Sequence, residues 1–135
     1  MSVHHYAIEM VMGLLAESEL LRRANVSIIS QNAGDLATLL EQTLDALDGP
    51  VAVVTVDRVQ NVQPGAIVSG SVMVTENAVL NRERNNDFLT ALDVAMEAQR
   101  LLDRHDVHSG DVTHSTPGDG VLEAVCPWEI EFSSK

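Results

Sequence analysis

Two β-branched runs separated by a proline–glycine break constrain this chain more than any other feature. The first reads Val51-Ala-Val-Val-Thr-Val-Asp-Arg-Val59 and the second Ala66-Ile-Val-Ser-Gly-Ser-Val-Met-Val-Thr75, with Gln63-Pro64-Gly65 between them. Runs of this composition around such a break pair as an antiparallel hairpin. Pro64 presets φ at the first central turn position and Gly65 accepts positive φ at the next, so a type II turn is expected. That turn belongs to a fairly long polar loop over 58–65, long enough to project. From Val51 to Asn85 three acids (Asp57, Glu76, Glu83) stand against three bases (Arg58, Arg82, Arg84). A neutral, apolar hairpin inside an acidic chain predicts the centre of a sheet. In its second strand Val68, Val72 and Val74 share a side, while Ile67, Ser69, Ser71 and Met73 take the other. Gly70, among the valines, marks a bulge or a close backbone approach.

The flanking segments carry helical periodicity. Residues 3–23 read as a first helix capped by Ser2, with Val3, Tyr6, Ala7, Met10, Leu14 and Leu21 on the buried stripe and Val11 and Leu15 widening it. Val26-Ser-Ile-Ile29 is a short β-run. A second helix over 33–47 presents Leu36, Leu39, Leu40, Thr43, Leu44 and Leu47 on one face and is stopped by Gly49-Pro50. A third helix, capped by Asn86 or Asp87, runs to Asp103. Phe88, Leu92, Ala95, Met96, Gln99 and Leu102 form its buried side, and Asp93, Glu97, Arg100 and Arg104 face water. The C-terminal stretch is a second hairpin: 111–115 is its short first arm and Thr116-Pro-Gly-Asp-Gly120 its turn. In the second arm Leu122, Ala124, Cys126, Trp128, Ile130 and Phe132 alternate with Glu123, Val125, Pro127, Glu129 and Glu131, the pattern of a half-buried strand. Pro127 lacks a donor and places that strand at an edge or at an interruption. Glu129 and Glu131 would blunt such an edge.

Composition excludes several classes. The net charge is −12 with eight basic residues, too few to neutralise a phosphate backbone, so tight nucleic-acid binding is not expected. Aromatic residues are 3% of the chain, which argues against a base-stacking platform. No uncharged apolar run is long enough to span a membrane, and the start of the chain has no basic leader pattern. One cysteine, Cys126, rules out an internal disulfide or a zinc ribbon. No glycine-rich phosphate loop and no nucleophile motif is present, so no cofactor and no catalytic set is expected.

Two histidine groups supply metal-ligand types. His4 and His5 sit at the start of the first helix, where solvation is the plain reading. His105, Asp106, His108, Asp111 and His114 form a denser cluster, but Ser109-Gly110 ends any helix that would align them, and no metal is assigned. A small metal-dependent hydrolase built on these residues is the alternative to a structural role, and a monomeric adaptor is a third reading.

The end of the second β-run reads Glu76-Asn77-Ala78-Val79-Leu80-Asn81-Arg82, and Ala91-Leu92-Asp93-Val94-Ala95 follows. A strand ending in Glu-Asn, then an aliphatic pair, Asn-Arg, and a helix opening on Ala-Leu-Asp resembles bacteriophage tail terminator, or tail completion, proteins. Glu83-Arg84-Asn85-Asn86-Asp87 here replaces the Gly/Thr/Lys-rich segment of that family. The resemblance covers about 72–102. It implies a structural protein of the virion tail, acting as a ring of its own copies, typically six. Such a ring caps the tail tube, meets head-completion proteins and lets DNA pass through its lumen. From residue chemistry, Glu76, Asn77, Asn81 and Arg82 suit a strand-to-helix corner: the asparagines bond nearby backbone and Arg82 forks onto a carboxylate. Arg58, Gln60, Asn61 and Gln63 on the projecting loop are the expected contact with a neighbour.

The expected architecture is a single α+β domain over 1–135. Its mostly antiparallel sheet has four or five strands in the order α-β-α-β-β-α-β-β, with helices mainly on one face.

Overall fold

The computed structural model describes residues 2–24, 26–30, 50–62, 65–77, 89–118 and 121–132. Within them the chain is α+β. Helices α1 (Val3–Ala16) and α2 (Glu19–Arg23) lead into β1 (Ser27–Ser30). Strands β2 (Val51–Val62) and β3 (Gly65–Asn77), helix α3 (Ala91–Arg104), and strands β4 (His108–Ser109), β5 (Thr113–Gly118) and β6 (Val121–Phe132) follow. Among the described residues the sheet has six strands rather than four or five, ordered β1-β2-β3-β6-β4, with β5 also paired to β6. One pairing departs from the antiparallel pattern: β1 runs parallel to β2, from Ser27 opposite Val51 to Ser30 opposite Val54. A parallel neighbour needs about a dozen residues or more to return the chain, and residues 31–50 supply that length. The expected helix over 33–47 lies outside the described residues.

The central hairpin is longer than its composition suggests. Val62 pairs with Gly65, so β2 runs straight through Arg58, Gln60 and Asn61 and the connection shrinks to residues 63 and 64, outside the described residues. The expected polar loop over 58–65 is therefore strand, and Gly65 is a ladder residue, not a central turn residue. The polar side chains mimic a loop here because the end of β2 stands clear of the core, exposed from Asp57 to Val62. Twelve residues of strand extend roughly 40 Å.

One irregularity interrupts this hairpin. Val56 faces Gly70 and Arg58 faces Ser69, which leaves Asp57 as an extra residue in β2. The bulge exchanges the two sides of the strand: Ala52 and Val54 belong to the core before it, whereas Val59 is the residue set against Val68 after it. Gly70 sits at this point. A Cβ there would stand 2.0 Å from the Thr55 carbonyl oxygen and 2.5 Å from the Trp128 indole. Both features anticipated for Gly70, bulge and close approach, occur together.

Strand β6 is interior along β3, from Ala66 opposite Phe132 to Asn77 opposite Val121. Pro127 is accommodated by a break on its other side. There β5 pairs with Ala124 and Val125 while β4 pairs with Trp128 and Glu129, and between them Gly110 N–H donates to the Pro127 carbonyl at 3.0 Å. A strand residue points its nitrogen and carbonyl to the same side, so the missing donor falls at the gap and costs no bond to β3.

The core forms where α1 and α3 cover one face of this sheet. Val68, Val72 and Val74 of β3 and Ala124, Cys126, Trp128 and Ile130 of β6 meet Ala7, Ile8, Val11 and Leu15 of α1 and Ala91, Val94, Ala95, Ala98, Leu101 and Leu102 of α3. Each fully buried valine or leucine stabilises by about 1.5–3 kcal/mol relative to exposure. The alternation expected for β6 holds. The expected stripe of the first helix holds in part: Ala7, Val11, Leu15 and Leu21 are buried and Val3 and Leu14 pack against the core, but Tyr6 and Met10 are exposed and Ile8 is buried instead. Apolar residues surround this helix on nearly every side, so its sequence period leaves the facing side open. Helix α1 also ends at Ala16. A short α2 starts afresh behind Ser18, whose hydroxyl accepts the Leu21 N–H at 3.3 Å.

The two glycines set opposite expectations. Gly13, inside α1, has open space around a built Cβ. Gly13→Ala therefore raises the unfolding free energy by about 1 kcal/mol. Gly70→Ala lowers it by about 1–3 kcal/mol or more through overpacking. Urea denaturation of the two variants checks both signs.

Candidate functional site

The corner between β3 and α3 joins the two halves of the sequence motif. Glu76, the last but one residue of β3, is fully buried, and its Oε1 accepts the Ala91 N–H at 2.7 Å. Ala91 is the first residue of α3, whose opening amides have no partner within the helix. The helix begins later than Asn86 or Asp87 because Thr90 supplies the cap. Its hydroxyl accepts the Asp93 N–H at 3.1 Å, and Asp93 Oδ2 accepts the Thr90 N–H at 3.0 Å. This reciprocal arrangement satisfies two amides at once, and Glu76 takes a third. Two carboxylates at one helix start also suit the positive end of the dipole. Asn77 is half-buried at the end of β3. Asn81 and Arg82, the other residues of the expected corner, lie outside the described residues.

A cleft of about 260 Å³ opens beside this corner, lined by Thr90, Ala91, Leu92, His114, Ser115, Thr116, Leu122 and Glu123. The helix start that borders it is already capped by Glu76 and Asp93. An incoming anion would meet negative charge where a free helix terminus would offer donors.

Behind the corner, α3 carries a second buried carboxylate. Glu97 was expected in water; it is 8% exposed. Its Oε2 accepts the Ser18 hydroxyl at 2.9 Å, and Arg100 forks onto it from Nε at 2.6 Å and from a terminal nitrogen at 2.9 Å. Ser18 thus caps α2 and ties it to α3 with one hydroxyl. Met96, expected inside, is 53% exposed, and the buried side of α3 runs through Ala91, Val94, Ala95, Ala98, Leu101 and Leu102. The Arg100 bond, more than any other factor, holds the Glu97 carboxyl below its ordinary range. Lost hydration, the next largest influence, opposes it, and the Ser18 bond and the Arg100 charge add smaller lowering contributions.

The register disperses the histidine cluster. His108 stands opposite Glu129, on the sheet face away from the helices, and His114 stands opposite Ala124, on the helix-covered face. His105 is the C-cap of α3, and Asp106 follows with φ 61°, a left-handed turn residue that ends the helix. Among the described residues no three His, Cys, Asp or Glu side chains converge to hold a metal ion. Cys126 is equally inert: burial, with the Asp103 charge, pushes its thiol up to about 11. Among the described residues no helix is long and apolar enough to cross a membrane.

The remaining candidate surface is the exposed end of the hairpin. Arg58, Gln60 and Asn61 all reach solvent there, on strand β2 rather than on a loop, beside the exposed Val59 and Val62. Gln63 lies outside the described residues. A groove of about 340 Å³ runs across the face away from the helices, between Asp57, Ser69, His108, Gly110, Pro127 and Glu129. Ser71 donates to Asp57 within the same face at 3.1 Å.

No family model matches the chain, and no curated protein matches it significantly. Among solved structures, the catalytic domain of the histidine kinase ThkA is similar at 14% identity and a TM-score of 0.33, over 92% of this chain and 90% of that one. The mycobacterial sensor histidine kinase MprB is similar at 14% identity and a TM-score of 0.29, over 89% and 95%. Likeness at this level brings neither a fold nor an activity to this chain.

The two carboxylates separate experimentally. Glu76→Ala removes the acceptor of a buried amide and lowers stability by about 1–3 kcal/mol, with faster hydrogen exchange at Ala91. Glu97 has a depressed folded pKa. Its contribution is therefore complete above the ordinary carboxylate value of 4.5 and is lost as pH falls through the depressed value. Glu97→Gln lowers stability at neutral pH and flattens the acid side of the stability curve below that value. Urea midpoints measured across the acid range decide it.

Proposed function

We propose that this chain is a structural assembly protein: a phage or prophage tail terminator that works as a ring of its own copies. It is made in the bacterial cytoplasm and ends in the virion tail, between the tail tube and the head-completion proteins, and it catalyses no reaction. The observation that carries this reading is the Glu76–Ala91 hydrogen bond. The two halves of the motif that resembles tail terminators are separated by residues 83–90, and this bond ties the end of β3 to the start of α3. The excess of acidic residues supports the reading as well, because DNA passes such a surface without adhering. The exposed end of the β2–β3 hairpin offers the neighbouring copy or the tube a rigid contact through Arg58, Gln60 and Asn61.

The scattered placement of His105, His108 and His114 gives no support to a metal-dependent hydrolase. On this reading, adding zinc or manganese to the purified protein leaves its melting temperature unchanged.

Light scattering and negative-stain electron microscopy test the proposal on the full chain, alone and mixed with its tail-tube protein. Rings of one diameter, or tubes capped at one end, are the expected result. A chain that stays monomeric and leaves tube growth unrestrained overturns it. The double variant Gln60→Lys, Asn61→Lys places two charges on the exposed strand, where surface changes alter stability by about 0.5 kcal/mol or less. It is expected to abolish ring formation while keeping the melting temperature of the parent.

A further inference from the structure

We draw no further inference here: the strongest candidate, the groove on the uncovered sheet face between Asp57 of β2, Ser69 of β3 and the His108–Glu129 pairing of β4 with β6, offers exposed carboxylates and no buried unpartnered group aimed into it, because the Trp128 indole N–H is sealed away from solvent, so nothing in the structure shows what it would hold.

Discussion

The pairing of β3 with β6 is the constraint on which the rest of the described structure depends. It is unbroken from Ala66 opposite Phe132 to Asn77 opposite Val121. Because its alternation is strict, Val68, Val72, Val74, Ala124, Cys126 and Ile130 reach the same side and form one apolar floor. A slip of one residue would turn that entire floor to the opposite face, so burial itself fixes the register. Helices α1 and α3 then have one place to put their apolar sides. What they add is not shape alone: α3 is anchored at its start by Glu76 from the same strand and midway by Ser18 from the turn before α2.

Each anchor involves a buried carboxyl side chain, Glu76 in one and Glu97 in the other, and the two solve different problems. Glu76 fills a vacancy that every helix has, since the first amides lack partners. Glu97 has no such vacancy to fill. It is held by Arg100, one turn away on the same helix, and through Ser18 it fixes how α2 meets α3. Removing water from a carboxylate is costly, and the structure offsets that cost with three hydrogen bonds at Glu97. The result is a docking that is specified by direction, which an all-apolar contact between small side chains would not provide.

The strands were legible where one face is buried along their length. The alternation of β6 from Leu122 to Phe132 and the valines of β3 identify the core side directly, and Gly70 announced its own tight site. Legibility failed where the local pattern is degenerate or where distant partners decide. Helix α1 has apolar residues on too many sides for its period to choose between Tyr6 and Ile8. The polar end of β2 reads as loop because solvent surrounds it, yet its backbone is paired with β3. Glu97 looks like a surface residue because its second partner, Ser18, is far away in the chain. Thr90 and Asp93 form a capping pair visible in sequence, but the earlier Asn86-Asp87 offers the same capping chemistry, so sequence alone does not choose between them. The site shares this history. Glu76 stands out at the end of its strand, while the amide that it binds is named only by the fold.

The bulge at Asp57 has a consequence beyond its local geometry. Along a regular hairpin two strands can exchange partners by sliding two residues at a time, since each side chain then returns to its own face. Here the extra residue breaks that equivalence. A slide would carry the bulge off Gly70 and bring a side chain of β3 against the Thr55 carbonyl. The hairpin is thereby metered: its exposed strand ends keep a set height above the core, and the protein carries a built-in ruler whose zero mark is a glycine.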